Sequence, residues 1–168
     1  MMTEAENRAA CRALAAAAGQ ILKQKRAHAA VAESLTGGML ASRIVDVPGA
    51  SGWFIEGCVT YTDEAKMRRL GVSEEVIRSC TAVSRETAGA MAQGELSASG
   101  ADIAVSTTGL AGPGPDEYGR PAGLVFIGGA TAKGSVTRQL TLSGTREQIR
   151  EATALEALKL LYKLAELI

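Results

Sequence analysis

The 168-residue chain contains little histidine and little cysteine, and these shortages exclude several kinds of chemistry. There is one histidine, His28, and there are three cysteines, Cys11, Cys58 and Cys80, which lie far apart in the sequence. A mechanism that needs two histidines is excluded, and zinc motifs such as C-x-x-C or H-E-x-x-H do not occur. We therefore expect no metal site. Three scattered cysteines also argue against a disulfide framework and favour the cytoplasm, a reducing compartment.

The chain also lacks an excess of charge and a long apolar run. Eighteen basic residues balance eighteen acidic ones, so no overall field attracts a polyanion, and we expect no nucleic-acid binding. The apolar run 13–18 resembles the centre of a signal peptide, but acidic residues precede it and basic ones follow it. No stretch approaches the roughly 18 apolar residues that a membrane span requires. We interpret the run as part of a helix and expect no membrane partner.

Apolar periodicity and turn residues predict alternating helices and strands. Helices are predicted to start near residues 3, 39, 63, 73, 84 and 145, and strands to cover 27–33, 53–62, 102–108, 123–130 and 135–142. The apolar residues of 53–62 suit a buried strand. The pattern predicts an α/β fold: a three-layer α/β/α sandwich with a mixed central sheet, formed by a single domain over residues 1–168.

Ser34 follows the first predicted strand and precedes a helix, as a nucleophile does at a strand-to-helix turn. The G-x-S-x-G pattern is absent, and Ser34 could equally be the N-cap of the helix, as could Thr36. The two roles of Ser34 are compatible, because backbone N–H groups at a helix start can hold an oxyanion. Gly37 and Gly38 would allow a ligand to approach closely.

Lys66 lies five residues after Tyr61, in the first turn or so of a helix that Thr62 is expected to cap. The helix dipole and burial would both lower the pKa of a lysine at this place, so Lys66 could act as a base. The alternative is an exposed lysine beside Arg68 and Arg69.

The segment 109–115 is rich in glycine and proline and carries neither the Walker pattern nor the dinucleotide-binding fingerprint. It could enclose a small ligand or serve only as a wide crossover loop.

Four ordered motifs carry a resemblance to a known family: AES-x-TGG at 32–38, G-x-VTY-x-x-x-AK at 57–66, AVS at 82–84 and G-x-AGP at 109–113. From about Ala29 to the final helix, the chain resembles the CinA C-terminal-domain family of competence- and damage-inducible proteins, typified by nicotinamide mononucleotide deamidase. Longer relatives carry a further N-terminal domain, and this chain is similar to a stand-alone version.

The resemblance implies hydrolysis of the carboxamide of nicotinamide mononucleotide to nicotinate mononucleotide and ammonia, without a metal or another cofactor. It implies Ser34 as the nucleophile, with Lys66 and Tyr61 moving the proton. Substrate-binding residues implied in the same way are Thr36, Gly37 and Gly38 with Arg146 for the phosphate, and Thr108, Gly109, Ala111 and Gly112 for the pyridine and ribose. An exposed Arg146 without this role is the alternative.

Leu35 replaces the usual cysteine of the family, and the loop 114–123 departs from the family pattern. The residues of the nucleophile motif are thus retained, whereas the wall of the expected pocket is altered. The alternatives are a non-catalytic nucleotide-binding or regulatory module linked to competence or DNA damage, and an amidase for another small amide. The resemblance also implies a homo-oligomer, and an aliphatic tail, 161–168, which we expect to be exposed, would suit a subunit contact.

Overall fold

The computed structural model describes residues 2–168, which form one five-stranded sheet covered by helices. The strands are β1 (Ala29–Glu33), β2 (Phe54–Val59), β3 (Ile103–Gly109), β4 (Leu124–Thr131) and β5 (Gly134–Thr141). The α-helices are α1 (Glu4–Lys25), α2 (Met39–Val45), α3 (Asp63–Leu70), α4 (Glu74–Cys80), α5 (Arg85–Ser99) and α6 (Arg146–Leu167), with a 3₁₀ turn at Ala50–Gly52. The predicted order of elements is confirmed, and the boundaries move by only a few residues.

The sheet has the order β2-β1-β3-β4-β5. Strand β1 runs parallel to both β2 and β3, whereas β4 is antiparallel to both of its neighbours, β3 and β5. Successive residues of β4 face opposite layers: a Cβ on Gly128 would meet Ala88 of α5, and one on Gly129 would meet Leu160 and Leu164 of α6. The predicted mixed sheet and three-layer sandwich are therefore confirmed.

Helix α1 contains the apolar run that resembles a signal peptide. It begins with a capping box in which Thr3 and Glu6 bond reciprocally, and it buries Ala15 and Ala18. In the part of the chain that the structure describes, no helix is long and apolar enough to cross a membrane.

The tail of α6 corrects one expectation. Leu161 and Ala165 are fully buried and Leu164 is nearly so, because this face of α6 packs on the sheet. Leu167 is the exposed exception. The prediction of an exposed aliphatic tail over 161–168 was therefore wrong, and the tail is mainly core.

The exposure of strand β2 corrects a second expectation. Its side chains are mostly exposed, with Ile55 at 45% and Val59 at 50% relative exposure. The prediction of a buried strand was wrong because β2 lies at the edge of the sheet, where one side has no neighbouring strand. Trp53, just before β2, is buried.

Candidate active site

Several loops converge at the carboxyl ends of the parallel strands and enclose a cavity of about 320 Å³. Ser34 enters it from the end of β1, Lys66 from α3, the glycine-rich segment 109–115 from the end of β3, and Arg146 from the start of α6. The carboxyl edge of the strands is the usual ligand site in α/β sheets. The topology thus brings together the three places that the sequence singles out.

Ser34 and Lys66 contact each other although 32 residues separate them. Lys66 Nζ lies 3.1 Å from Ser34 Oγ, 2.8 Å from the Thr60 carbonyl oxygen and 3.3 Å from the Tyr61 carbonyl oxygen. Carbonyl oxygens only accept hydrogen bonds, so two N–H bonds of the amine point at them. The remaining tetrahedral position faces Ser34, and in the neutral amine it would hold the lone pair that accepts the serine proton.

Lys66 is a buried lysine, with 1% of its surface exposed, so the alternative of a surface lysine was wrong. Burial lowers its pKa below the ordinary value of 10.5, because a charged amine loses its hydration there, and nearby Asp63 raises the pKa in partial compensation. Thr62 caps α3 as predicted, with its hydroxyl accepting from the Ala65 N–H. Lys66 therefore loses its proton more readily than an exposed lysine does.

The turn between β1 and α2 is capped by an acidic residue that the sequence interpretation did not single out. Gly38 is the N-cap of α2 and has no side chain to offer, so the prediction that Ser34 or Thr36 caps the helix was wrong. Glu33 takes that role: its carboxylate accepts from the N–H groups of Gly38, Leu40 and Ala41 at 2.8–3.1 Å. Ser34 is thus left free for Lys66.

The same turn offers few donors to a substrate phosphate. Thr36 is fully buried with its hydroxyl 2.8 Å from that of Thr107, the Gly37 N–H donates to the Ser34 carbonyl, and the Gly38 N–H donates to Glu33. The structure does not bring Thr36, Gly37 or Gly38 to the cavity wall. Their predicted phosphate-binding role therefore finds no support in the geometry.

Arg146 and Tyr61 form the mouth of the cavity. One Nη of Arg146 donates to the Tyr61 hydroxyl at 3.1 Å, and the other donates to the Gly112 carbonyl. Both side chains are exposed, and the Tyr61 hydroxyl is bonded to Arg146 and not to Ser34 or Lys66. The structure therefore pairs Ser34 with Lys66 inside the cavity and Tyr61 with Arg146 at its entrance.

The far wall is made of backbone from the segment after β3. Thr108 lines the cavity, but its hydroxyl donates to the Ala82 carbonyl at 2.6 Å. At Gly109 and Gly112 a Cβ would lie within 2.8 Å of neighbouring atoms, so only glycine fits. Ala111 is buried beside them. The segment 109–115 therefore lines a cavity large enough for a small ligand, and it also begins the connection from β3 to β4.

The loop 114–123, which departs from the family pattern, is fastened by an ion pair that the sequence interpretation missed. The Asp116 carboxylate accepts from Nε and Nη2 of Arg120 at 2.8 and 2.7 Å. Arg120 Nη1 also donates to the Thr81 hydroxyl and the Val83 carbonyl, both at 2.8 Å. The spacing of Asp116 and Arg120, four residues apart, could have indicated the ion pair from the sequence. Only the fold shows that this loop forms a cavity wall.

The other nucleophiles and metal ligands of the chain lie outside this arrangement. Burial raises the pKa of the Cys11 thiol to about 11 and that of the Cys58 thiol to about 12, so neither is a thiolate at neutral pH. Across residues 2–168, no three His, Cys, Asp or Glu side chains are grouped closely enough to hold a metal ion. Ser34, by contrast, has the Lys66 amine within hydrogen-bond distance of its hydroxyl.

Sequence comparison then gives the family: the sequence model of the CinA C-terminal domain matches residues 11–165. The chain belongs to the CinA C-terminal domain family. The match extends further toward the N-terminus than the resemblance from Ala29, because α1 is included.

Individual CinA relatives agree with this assignment. A competence-damage inducible protein of Caldicellulosiruptor saccharolyticus is 48% identical over 86% of this chain and 35% of its own length, and a CinA-like protein of Endomicrobium trichonymphae is 45% identical over 88% and 35%. The chain thus spans about a third of the length of the curated relatives it matches.

Solved CinA structures share the whole architecture. The competence/damage inducible protein CihA of Agrobacterium tumefaciens superimposes with a TM-score of 0.89 at 36% identity, over 92% of this chain and 95% of that one. A CinA superfamily protein of Escherichia coli gives 0.88 at 32% identity, over 92% and 90%.

Proposed function

We propose that this chain is a serine amidohydrolase that converts nicotinamide mononucleotide to nicotinate mononucleotide and ammonia. The observation that carries the proposal is the 3.1 Å contact between Ser34 Oγ and Lys66 Nζ at the cavity wall, with the lysine pKa lowered by burial. A nucleophile within hydrogen-bond reach of a base is the arrangement that covalent hydrolysis requires. The substrate comes from the family resemblance.

In the proposed reaction, neutral Lys66 takes the proton of Ser34 as Oγ forms a bond to the amide carbon and the carbonyl electrons move to its oxygen. The oxyanion then collapses, the C–N bond breaks, and Lys66 returns the proton to the leaving nitrogen, which departs as ammonia. Water then attacks the resulting ester while Lys66 takes one of its protons. The bond from the carbonyl carbon to Ser34 Oγ breaks, and Lys66 returns that proton to Oγ. The carboxylic acid that is released passes its own proton to ammonia, which leaves carboxylate and ammonium. Atoms and charges balance without a cofactor.

The mouth of the cavity suits the phosphate end of a mononucleotide. Arg146 can turn its guanidinium donors from Tyr61 and Gly112 to a phosphate, for which a forked pair of hydrogen bonds is favourable. The cavity volume is at the lower end of the range of about 300–1,000 Å³ typical of small-molecule sites. We also propose a homo-oligomer, as the resemblance implies, and the cytoplasm, which the three scattered cysteines favour.

Ammonia release from a matched panel tests the substrate. Nicotinamide mononucleotide, nicotinamide riboside and nicotinamide differ in phosphate and then in ribose, and Ser34→Ala is the inactive control. We expect turnover of the mononucleotide, and we expect Arg146→Met to raise KM for the mononucleotide but not for the riboside.

Two results would contradict the proposal. Release from other small amides but not from the mononucleotide would indicate an amidase with a different substrate, in line with the altered loop 114–123. No release from any amide by folded protein would favour a non-catalytic module related to the competence and damage functions for which the relatives are named.

A further inference from the structure

Helix α6 presents two arginines, one helical turn apart, to the site. Arg146 reaches the mouth, whereas Arg150 lies under the turn that follows Ser34. Arg150 Nε donates to the Leu35 carbonyl at 3.1 Å, and Nη2 donates to the Thr36 carbonyl at 2.8 Å. Arg150 lines neither the cavity nor its mouth, so its contacts are with the backbone of the nucleophile turn.

These bonds fix the orientation of successive peptide groups. In a trans peptide the C=O and N–H point in opposite directions, so holding one determines the other. The Gly37 N–H holds the Ser34 carbonyl at 3.0 Å, which directs the Leu35 N–H the opposite way. Arg150 holds the Leu35 and Thr36 carbonyls, and the Thr36 carbonyl belongs to the same peptide group as the Gly37 N–H. Arg150 thereby fixes the donor that holds the Ser34 carbonyl and, through it, the Leu35 N–H.

The two N–H groups that this arrangement directs are without partners. Among residues 2–168, neither the Leu35 N–H nor the Thr36 N–H donates a hydrogen bond, although Leu35 is 4% and Thr36 0% exposed. Buried backbone N–H groups are paired in the great majority of cases, so an unpaired couple beside a nucleophile indicates an acceptor that arrives with the substrate. Leu35 lines the cavity next to Ser34.

We propose that Arg150 is the positioning residue of an oxyanion hole, holding the turn after Ser34 so that the Leu35 N–H meets the oxygen of the tetrahedral intermediate. This inference rests on the proposed serine amidohydrolase. The guanidinium suits this role because two of its nitrogens, Nε and Nη2, are held in one plane and each bonds one carbonyl, whereas a lysine has a single nitrogen on a flexible stem. Its positive charge also favours the developing oxyanion.

The variants Arg150→Lys and Arg150→Met test this role, and Lys163→Met, an exposed position on the same helix, is the matched control. Loss of one oxyanion donor typically lowers kcat by about 10²–10³-fold, so we expect a fall approaching this size in Arg150→Met and a smaller one in Arg150→Lys. KM should change little, because the ground-state carbonyl makes weaker use of the hole. Guanidinium added to Arg150→Ala should restore part of kcat.

A second readout does not need turnover. 3-Pyridineboronic acid forms a tetrahedral adduct with an active serine and places an oxygen in the hole, so its affinity should fall in Arg150→Met in parallel with kcat. Parental kcat and parental boronate affinity in Arg150→Met, with Ser34→Ala inactive, would overturn this inference alone. A Ser34→Ala variant as active as the parent would instead overturn the proposed function.

Discussion

At the residue scale, Lys66 shows how far the sequence can be interpreted. Thr62 as the helix cap and Lys66 in the early turns of the helix were both predictable from spacing. The burial of the Lys66 amine was not predictable from spacing. It depends on the contacts of Nζ with the Thr60 and Tyr61 carbonyl oxygens and with Ser34, which follows another strand. The contact that carries the proposed base role, with Ser34, joins residues 32 positions apart in the sequence.

The pH dependence of kcat/KM tests the neutral form of Lys66. Because burial lowers its pKa below 10.5, the active amine population should grow about tenfold per pH unit below that pKa and level off above it. We expect kcat/KM to rise with pH and to reach a plateau below the ordinary lysine pKa of 10.5.

Lys66→Arg sharpens the same test. A guanidinium remains charged throughout this range, so the variant should be inactive at every pH, whereas Lys163→Arg should keep the parental profile. A flat profile in the parent, or an active Lys66→Arg, would remove Lys66 from the proposed base role.

At the element scale, the position of α3, and with it Lys66, depends on a close approach to α5. A Cβ on Gly94 of α5 would collide with the backbone carbonyl of Leu70, the last residue of α3. A Cβ on Gly89 of the same helix would come within 3.3 Å of only one methyl group, that of Thr137. Alanine substitutions at the two glycines therefore share the gain in helix propensity, but only the substitution at Gly94 affects the distance between α3 and α5.

Gly94→Ala and Gly89→Ala should differ in free energy of unfolding, measured by urea denaturation. Both gain about 1 kcal/mol of helix propensity, but overpacking typically costs about 1–3 kcal/mol, and at Gly94 it acts on rigid backbone. We expect Gly94→Ala to be destabilised and to lose kcat as Lys66 shifts, and Gly89→Ala to stay within about 1 kcal/mol of the parent. Equal stabilities would mean that α3 moves without resistance.

At the scale of the whole molecule, the site is built from segments that only the fold brings together. The order of elements and the fold class were predictable, because periodicity and turn residues are local signals. The edge position of β2, the Glu33 cap on α2 and the Arg150 contact with the Ser34 turn were not, since each depends on which strands and helices become neighbours. Local sequence patterns identified the candidate residues, and the topology determined which of them come into contact.

The central claim is that Ser34 and Lys66 work as one catalytic unit, and a double-mutant cycle on ammonia release from nicotinamide mononucleotide tests it most directly. When two groups act in the same step, removing both lowers kcat by less than the product of the two single losses. We predict that Ser34→Ala and Lys66→Met each lower kcat by about 10³-fold or more, and that the double variant is no slower than Ser34→Ala alone. Parental rates in Ser34→Ala, or losses that multiply in the double variant, would contradict the account.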